Sequence, residues 1–331
     1  MERVAVLGDG AWGTALSMVL VERGAAVIQW SWSAERATEL QTSRMNRKYL
    51  PGYKMPDRVT VTHDPAAFGH ADLVVCAVPS RYLRDVLTVL KPHVQRGRPF
   101  VSATKGLEFP SHKRATEILR EVLGPRPLAV VSGPSHAEEV IEHLPTAVVA
   151  ASADMGLALR VQDLLTTERF RVYTSSDVPG VELGGALKNV LAIAGGMVDG
   201  LQLGDNAKAA LLTRGQAEMA RLGVALGGRR DTFNGLSGIG DLVVSCISRH
   251  GRNRLVGERI GRGEKLEQVL ADIPGVPEGV LTCRAVRSLA QETGVEMPIS
   301  SEIHAVLYEG KDPRRAVADL MLRQQKDEVE A

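Results

Sequence analysis

"VAVLGDGAWGTALSMVL", residues 4–20, passes from a β-branched run directly into a small-residue stretch of helical character. Gly8, Gly10 and Gly13 stand at the junction in GxGxxG spacing. Glycines so placed permit a tight turn and close backbone approach, so that a pyrophosphate can rest on a helix N-terminus. The spacing alone is weak evidence; its position within a strand–helix–strand pattern makes it a dinucleotide fingerprint. Gly8, Gly10, Ala11, Trp12 and Gly13 are therefore candidate cofactor contacts. Residue type leaves Trp12 with two readings: packing beside the pyrophosphate, or plugging a domain interface.

Such sites place an acidic residue at the end of the second strand, where it grips the ribose 2′-hydroxyl and repels a 2′-phosphate. Here the chain reads "QWSWSAER" over 29–36, with Ser31, Trp32 and Ser33 where the acid belongs. NAD and NADP both remain open, with Ser33 as the cofactor-facing candidate. Arg36 reads as a solvated helix-face arginine; attraction of a 2′-phosphate is the alternative.

Beyond this unit, short apolar runs alternate with amphipathic stretches. Strands are expected at 3–7, 25–30, 59–62, 72–79, 98–104, 128–134, 146–152 and 169–175, with helical periods such as "RYLRDVLTVL" and "HKRATEILREVL" between several of them. Continuous apolar strands separated by helices imply a largely parallel sheet covered on both faces. Periodicity leaves open whether the last strands extend it in antiparallel or mixed fashion. After about Val178 the strands stop, and "NAKAALLTRGQAEMARLGVALG" (206–227) shows one apolar helical face. The expectation is an α/β chain: a Rossmann-type, doubly wound domain over 1–178 and an all-helical substrate-binding domain over 179–331, sharing an extensive interface.

Composition narrows the partners. The 331 residues carry a formal charge of +1, which argues against polyanion binding, and 4% aromatics are too few for a base-stacking surface. No nucleic-acid partner is expected. Cys76, Cys246 and Cys283 are sparse and form no metal-ligand pattern, which reads as buried thiols in a reducing compartment and no bound metal. No run reaches ~18 uninterrupted apolar residues, so no membrane span is expected. The N-terminus lacks the features of a signal peptide, and the simplest reading is a cytoplasmic protein.

Candidate substrate residues fall in two groups. "SATKGLE" sets Lys105 after the fifth strand, and "SGPSHAEE" sets Gly133, Pro134 and Ser135 after the sixth. Those carboxyl ends are where open parallel sheets hold ligands. From the helical half come Lys188 and Asn189, interrupting the small, apolar "GALKNVLAIAGGMVDG", and then Asp241 and Ser245 at i, i+4 spacing. A buried ammonium is costly unless paired or used. Arg252 and Asn253 follow in a turn; a guanidinium fork beside an amide suits a phosphate. Against this, Asp241 could cap a helix, and Arg249 and Arg254 read as solvated.

The string from Gly185 to Asn206 resembles the signature of the NAD(P)-dependent glycerol-3-phosphate dehydrogenases. The likeness runs through "GDGAWGTALS", "ATKGLE", "SGPSHAEE", "FRVY", "GIGDLVVSC", "GRNR", "VPEGV" and "VEMPI" in family order, across essentially the whole chain. It implies reversible hydride transfer between dihydroxyacetone phosphate and sn-glycerol 3-phosphate, supplying glycerol phosphate for phospholipid synthesis. It implies that Lys188 exchanges the proton at the C2 oxygen, with Lys105 and Asp241 completing the catalytic group. Lys105, Gly133, Ser135, Asn189, Asp241, Ser245, Gly251, Arg252 and Asn253 would meet substrate. Lys105, Ala137, Arg252 and Glu278 would add cofactor contacts, and the chain would form a homodimer through its helical domain.

Two departures stand out. The family often carries an arginine or histidine near Ser31–Ser33, and often a serine where this chain has Gly251. Ser245 replaces a commoner threonine but keeps the hydroxyl. Two other readings compete: a β-hydroxyacid or 6-phosphogluconate-type dehydrogenase, whose substrates carry a carboxylate, and a dinucleotide-sensing regulator without turnover.

Overall fold

The computed structural model describes residues 1–273, 275–325 and 327–328. Its first half contains β1 (Arg3–Leu7), β2 (Ala26–Trp30), β3 (Val59–Thr62), β4 (Leu73–Cys76), β5 (Phe100–Ser102), β6 (Leu128–Ser132), β7 (Thr146–Ser152) and β8 (Phe170–Ser175). Interleaved helices are α1 (Ala11–Glu22), α2 (Ala34–Ser43), α3 (Ser80–Leu90), α4 (Ala115–Leu123), α5 (Ala137–Ile141) and α6 (Met155–Leu165). The strands form one eight-stranded sheet in the order β3-β2-β1-β4-β5-β6-β7-β8. Every residue of β4 and β6 is buried, as continuous apolar strands covered on both faces must be. The end of the sheet is mixed: β7 runs antiparallel to β6, and β8 parallel to β7.

The β1–α1 turn requires its glycines. Gly8 has φ +109°, and a Cβ on Gly13 would lie 2.3 Å from the Gly8 carbonyl oxygen. Neither position tolerates a side chain, so the first turn of α1 closes directly onto the end of β1.

The second half is helical: α7 (Val178–Gly200), α8 (Gly204–Ala225), α9 (Arg230–Phe233), α10 (Asp241–Ile247), α11 (Arg252–Gly261), α12 (Leu266–Asp272), α13 (Glu278–Thr293), α14 (Pro298–Tyr308) and α15 (Pro313–Met321). The core is built around α7. That helix is long and apolar enough to cross a membrane by length and composition, yet nearly all of it is buried inside the protein. Small residues set its packing distance. A Cβ on Gly196 would come 1.8 Å from the Arg254 carbonyl oxygen, and one on Gly257 1.8 Å from that of Ile193. Backbones of α7 and α11 therefore touch, which brings Asn189 within hydrogen-bond reach of Asn253.

Carboxylates tie the halves together. Glu182 of α7 accepts from the backbone N–H of Thr116 at 2.9 Å and from Arg114 at 2.8 Å, at the start of α4. Glu278, first residue of α13, accepts from the Ser80 N–H at 2.8 Å, at the start of α3. Each satisfies otherwise orphaned donors of a helix N-terminus. Cys76, Cys246 and Cys283 are all free and buried.

Candidate active site

A cleft of about 1060 Å³ runs between the sheet and the helical half. At one end its wall is Gly8, Gly10, Ala11 and Trp12. Gly10 precedes α1, and a Cβ there would meet nothing within 4 Å, so the helix N-terminus opens onto free space. Trp12 lines the cleft while its ring lies 6.4 Å from Phe170, within the sheet's own core, and does not plug the domain interface. Gly13 lies behind the wall against Gly8. Ser33 also stands off the cleft: its hydroxyl caps α2 by accepting from the Arg36 N–H at 3.3 Å.

The solvated reading of Arg36 is corrected. Its Nε pairs with Asp9 at 2.8 Å, its Nη2 reaches Asn46 at 3.1 Å, and its guanidinium stacks 5.1 Å from the Tyr49 ring centroid. Asp9 also accepts from the Ser31 hydroxyl at 2.8 Å. The acid at this end is thus neutralised, and Lys48 and Tyr49 line the cleft beside it. Neither was singled out from sequence, because the segment between α2 and β3 has no periodicity to mark it.

Toward the middle of the cleft, Lys105, Ser135, Ala137, Lys188, Asn189, Asp241 and Ser245 come together from both halves. Asp241 bridges the lysines: Oδ2 lies 2.8 Å from Lys105 Nζ and Oδ1 3.0 Å from Lys188 Nζ. Lys188 also donates to Ser245 Oγ at 2.6 Å. Lys105 donates to the Gly133 carbonyl at 2.7 Å and to Ser135 Oγ at 3.1 Å, so Gly133 serves through its backbone without lining the cleft. Asp241 begins α10, but its carboxylate faces the two ammoniums and does not cap the helix.

Burial would raise the Asp241 carboxyl; Lys105 and Lys188 outweigh it and hold the group below the usual carboxylate range. Burial pushes the Lys105 ammonium down, Asp241 opposes this, and Lys188 adds to the depression. The constellation holds two cations against one anion. It is built to meet an oxygen that carries or develops negative charge.

Asn189 Nδ2 donates to the Lys105 carbonyl at 3.0 Å, and its Oδ1 accepts from Asn253 Nδ2 at 2.9 Å. Asn253 Oδ1 in turn takes the Gly279 N–H at 3.0 Å. Arg252 and Asn253 form the first turn of α11, not a free turn, with Gly251 as N-cap. Gly251, Arg252, Asn253 and Glu278 all line the cleft, so an arginine and a helix N-terminus face it together. Arg249 is exposed at its edge. Arg254 departs from the solvated reading: its side chain is 15% exposed and paired with Asp199 at 2.6 Å.

His136 escaped the sequence reading, although it lies inside "SGPSHAEE". It lines the cleft with its ring centroid 5.9 Å from that of His250, and its Nε2 is buried without a hydrogen-bond partner among the described residues. Burial, then the charges of Lys188 and Lys105, push its imidazole down to about 4. Among the described residues, no group of His, Cys, Asp and Glu is arranged to hold a metal.

Comparison with known proteins covers both halves. The NAD-dependent glycerol-3-phosphate dehydrogenase N-terminus matches residues 3–158, and the corresponding C-terminus residues 177–318. A glycerol-3-phosphate dehydrogenase [NAD(P)+] of Moorella thermoacetica is 51% identical over 331 residues, covering 100% of this chain and 98% of the relative. One from Lysinibacillus sphaericus is 49% identical over 334 residues, covering 100% and 99%. The crystal structure of glycerol-3-phosphate dehydrogenase from Coxiella burnetii superposes with a TM-score of 0.94 at 40% identity, covering 97% of this chain and 99% of that one. With likeness of sequence and of structure running through both lobes, the chain belongs to the NAD-dependent glycerol-3-phosphate dehydrogenase family.

Proposed function

We propose that this chain is an NAD(P)-dependent oxidoreductase interconverting dihydroxyacetone phosphate and sn-glycerol 3-phosphate. The observation that carries the reading is Asp241 bridging Lys105 and Lys188 in a cleft whose far end is a glycine cradle. Family membership supports it. The cleft fits a dinucleotide: it offers the open N-terminus of α1, and Trp12 Nε1 in its wall is buried with no partner among the described residues. Gly8, Gly10, Ala11 and Trp12 would hold the pyrophosphate end, and Lys105, Ala137, Arg252 and Glu278 the nicotinamide end. Bound NAD(P)H supplies the hydride.

The chain's own residues do the rest. Arg252, Asn253 and the α11 N-terminus bind the phosphate, matching its oxygens with charged and backbone donors. Lys188 gives its proton to the C2 oxygen as charge develops there, and in reverse takes it back. Asp241 keeps Lys188 and Lys105 aimed at one point, and Ser245 fixes the Lys188 rotamer. Asn189 holds Lys105's backbone. The same reading divides the chain into a cofactor-binding lobe over 1–178 and a substrate-binding lobe over 179–331, as a cytoplasmic homodimer joined through the helical lobe. Glycerol phosphate for phospholipid synthesis would be its product.

Nicotinamide absorbance, followed with NADH and with NADPH, tests this against dihydroxyacetone phosphate and a panel of 2- and 3-oxoacids. Turnover of the phosphorylated ketone alone is expected. Turnover of an oxoacid instead would favour a β-hydroxyacid dehydrogenase, and cofactor binding without any turnover a sensor. Sedimentation velocity of the purified chain tests the dimer.

A further inference from the structure

Outside the cleft, the helical half contains a second ionic cluster, partly buried, with the Asp199 side chain 32% exposed. Lys208, in the first turns of α8, is 13% exposed and sends its ammonium into the crossing of two other helices. Nζ donates to the Gly195 carbonyl of α7 at 2.5 Å and to the Cys246 carbonyl of α10 at 3.2 Å. It pairs with Asp199 of α7 at 2.7 Å, whose other oxygen takes Arg254 Nη1 of α11 at 2.6 Å. Arg254 Nε also donates to the Ser248 carbonyl, just past α10, at 3.0 Å.

These contacts join the same three helices that carry the site. Lys188 and Asn189 ride on α7, Asp241 and Ser245 on α10, Arg252 and Asn253 on α11. Cys246 is the residue after Ser245, and Gly195 lies roughly 10 Å along α7 from Lys188 at 1.5 Å per residue. The α7–α10 crossing is close because Gly195 has no side chain; a Cβ there would lie 2.9 Å from that of Cys246. Cys246 is in the last turn of α10, where carbonyls lack helical partners and a cation is favoured. Lys208, Asp199 and Arg254 do not line the cleft.

We propose that Lys208 is a positioning residue: with Asp199 and Arg254 it fixes α7, α10 and α11 in the one arrangement that lets Lys188 meet Asp241 and Ser245. The physical ground is an asymmetry. Apolar packing already holds these helices together, and ion pairs add little net stability whether exposed or buried. Close glycine packing sets how near these helices lie; directed charge–carbonyl contacts add a fixed rotation, because each is made at one carbonyl oxygen. The proposal rests on the reading of Lys188 as the proton-exchanging group.

The test compares the wild-type protein with Lys208→Met, Lys208→Arg and Asp199→Asn. In Lys208→Met, kcat for dihydroxyacetone phosphate is expected to fall roughly 10–100-fold, the scale of a small misplacement of reacting groups. KM for NAD(P)H should change much less than kcat, by about threefold at most, because the glycine cradle is in the other lobe and only Arg252 and Glu278 would meet the cofactor from the helical one. Lys208→Arg should recover part of kcat, and Asp199→Asn should fall between. A merely structural role would instead lower melting temperature with kcat unchanged, and that result overturns the proposal, as does equal loss of substrate and cofactor binding. Should Lys208→Met not fold, the same comparison of kcat, KM and melting temperature is decided on Lys208→Arg and Asp199→Asn. Wild-type turnover separately tests the underlying reading. Without it, the labelling rate of Lys188 by an amine-directed reagent still reports position; a rate unchanged across the variants sinks the proposal.

Discussion

The Lys188 ammonium lies 3.0 Å from Oδ1 of Asp241, and both side chains are buried. One comes from α7 and the other from α10, 53 positions apart in the chain. The pair is a demanding arrangement to maintain, since each charge depends on the other for solvation. Its consequences for mutation are correspondingly sharp.

Lys188→Met removes the proposed proton donor while keeping a chain of similar length. We expect kcat to fall by about 10²–10⁴-fold, the range for loss of general acid–base catalysis. Circular dichroism and NAD(P)H binding should be preserved. Near-wild-type turnover would remove the assignment.

Asp241→Asn leaves Lys188 and Lys105 facing each other without a counter-charge. Breaking a buried pair by removing one partner costs about 3–5 kcal/mol. Denaturant unfolding should show a loss of that order alongside the loss of turnover. Unchanged stability would mean that water, not protein, solvates the two ammoniums.

Arg252→Ala should act on substrate affinity first. Hydrogen bonds to a charged group contribute roughly 1.5–3 kcal/mol each, so KM for dihydroxyacetone phosphate should rise at least tenfold, at about 1.4 kcal/mol per decade. An unaltered KM would put the phosphate elsewhere in the cleft.

At the end of the cleft proposed for the adenosine, Asp9 is already paired with Arg36, and Lys48 lines the wall. Lys48→Glu is expected to raise KM for NADPH about tenfold while changing that for NADH about twofold or less, as one reversed charge contact allows. Equal effects on both cofactors would show that Lys48 does not meet a 2′-phosphate.

His136 makes stability depend on pH. Its imidazole is pushed down to about 4, first by burial and then by Lys188 and Lys105, whereas an unfolded histidine titrates near ~6.5. Between those values the unfolded chain binds more protons, so this contribution is intact above about 6.5 and lost as pH falls through the folded value. Urea unfolding across that window should show wild type losing up to roughly 3 kcal/mol more than His136→Phe, at 1.36 kcal/mol per unit. Parallel profiles for the two proteins would contradict this.

Much of the fold was legible in local signals, because strand and helix periods and the glycine junction are written in contiguous residues. Each expected strand is present: 3–7, 59–62 and 146–152 match to the residue, and the other five are shorter, as where the 72–79 expectation contracts to Leu73–Cys76. Boundaries shift because capping depends on contacts from elsewhere, as where Glu278 meets the start of α3. The orientation of β7 was open from sequence, since one buried strand reads the same in either direction.

Charges behaved differently. Arg36 and Arg254 gave no local sign of Asp9 and Asp199, 27 and 55 positions away, and His136 none of the His250 ring beside it. Residue type and spacing carried the class of fold and the glycine turn that opens α1, for these follow from steric and periodic rules acting over a few residues; a role for the lysine–asparagine pair came only with the family resemblance. Which cations are solvated, which are buried, and which two lysines share a single carboxylate depended on long-range packing. Burial and a partner's charge arise only when distant helices close on one another, and those are the terms that set electrostatic energy.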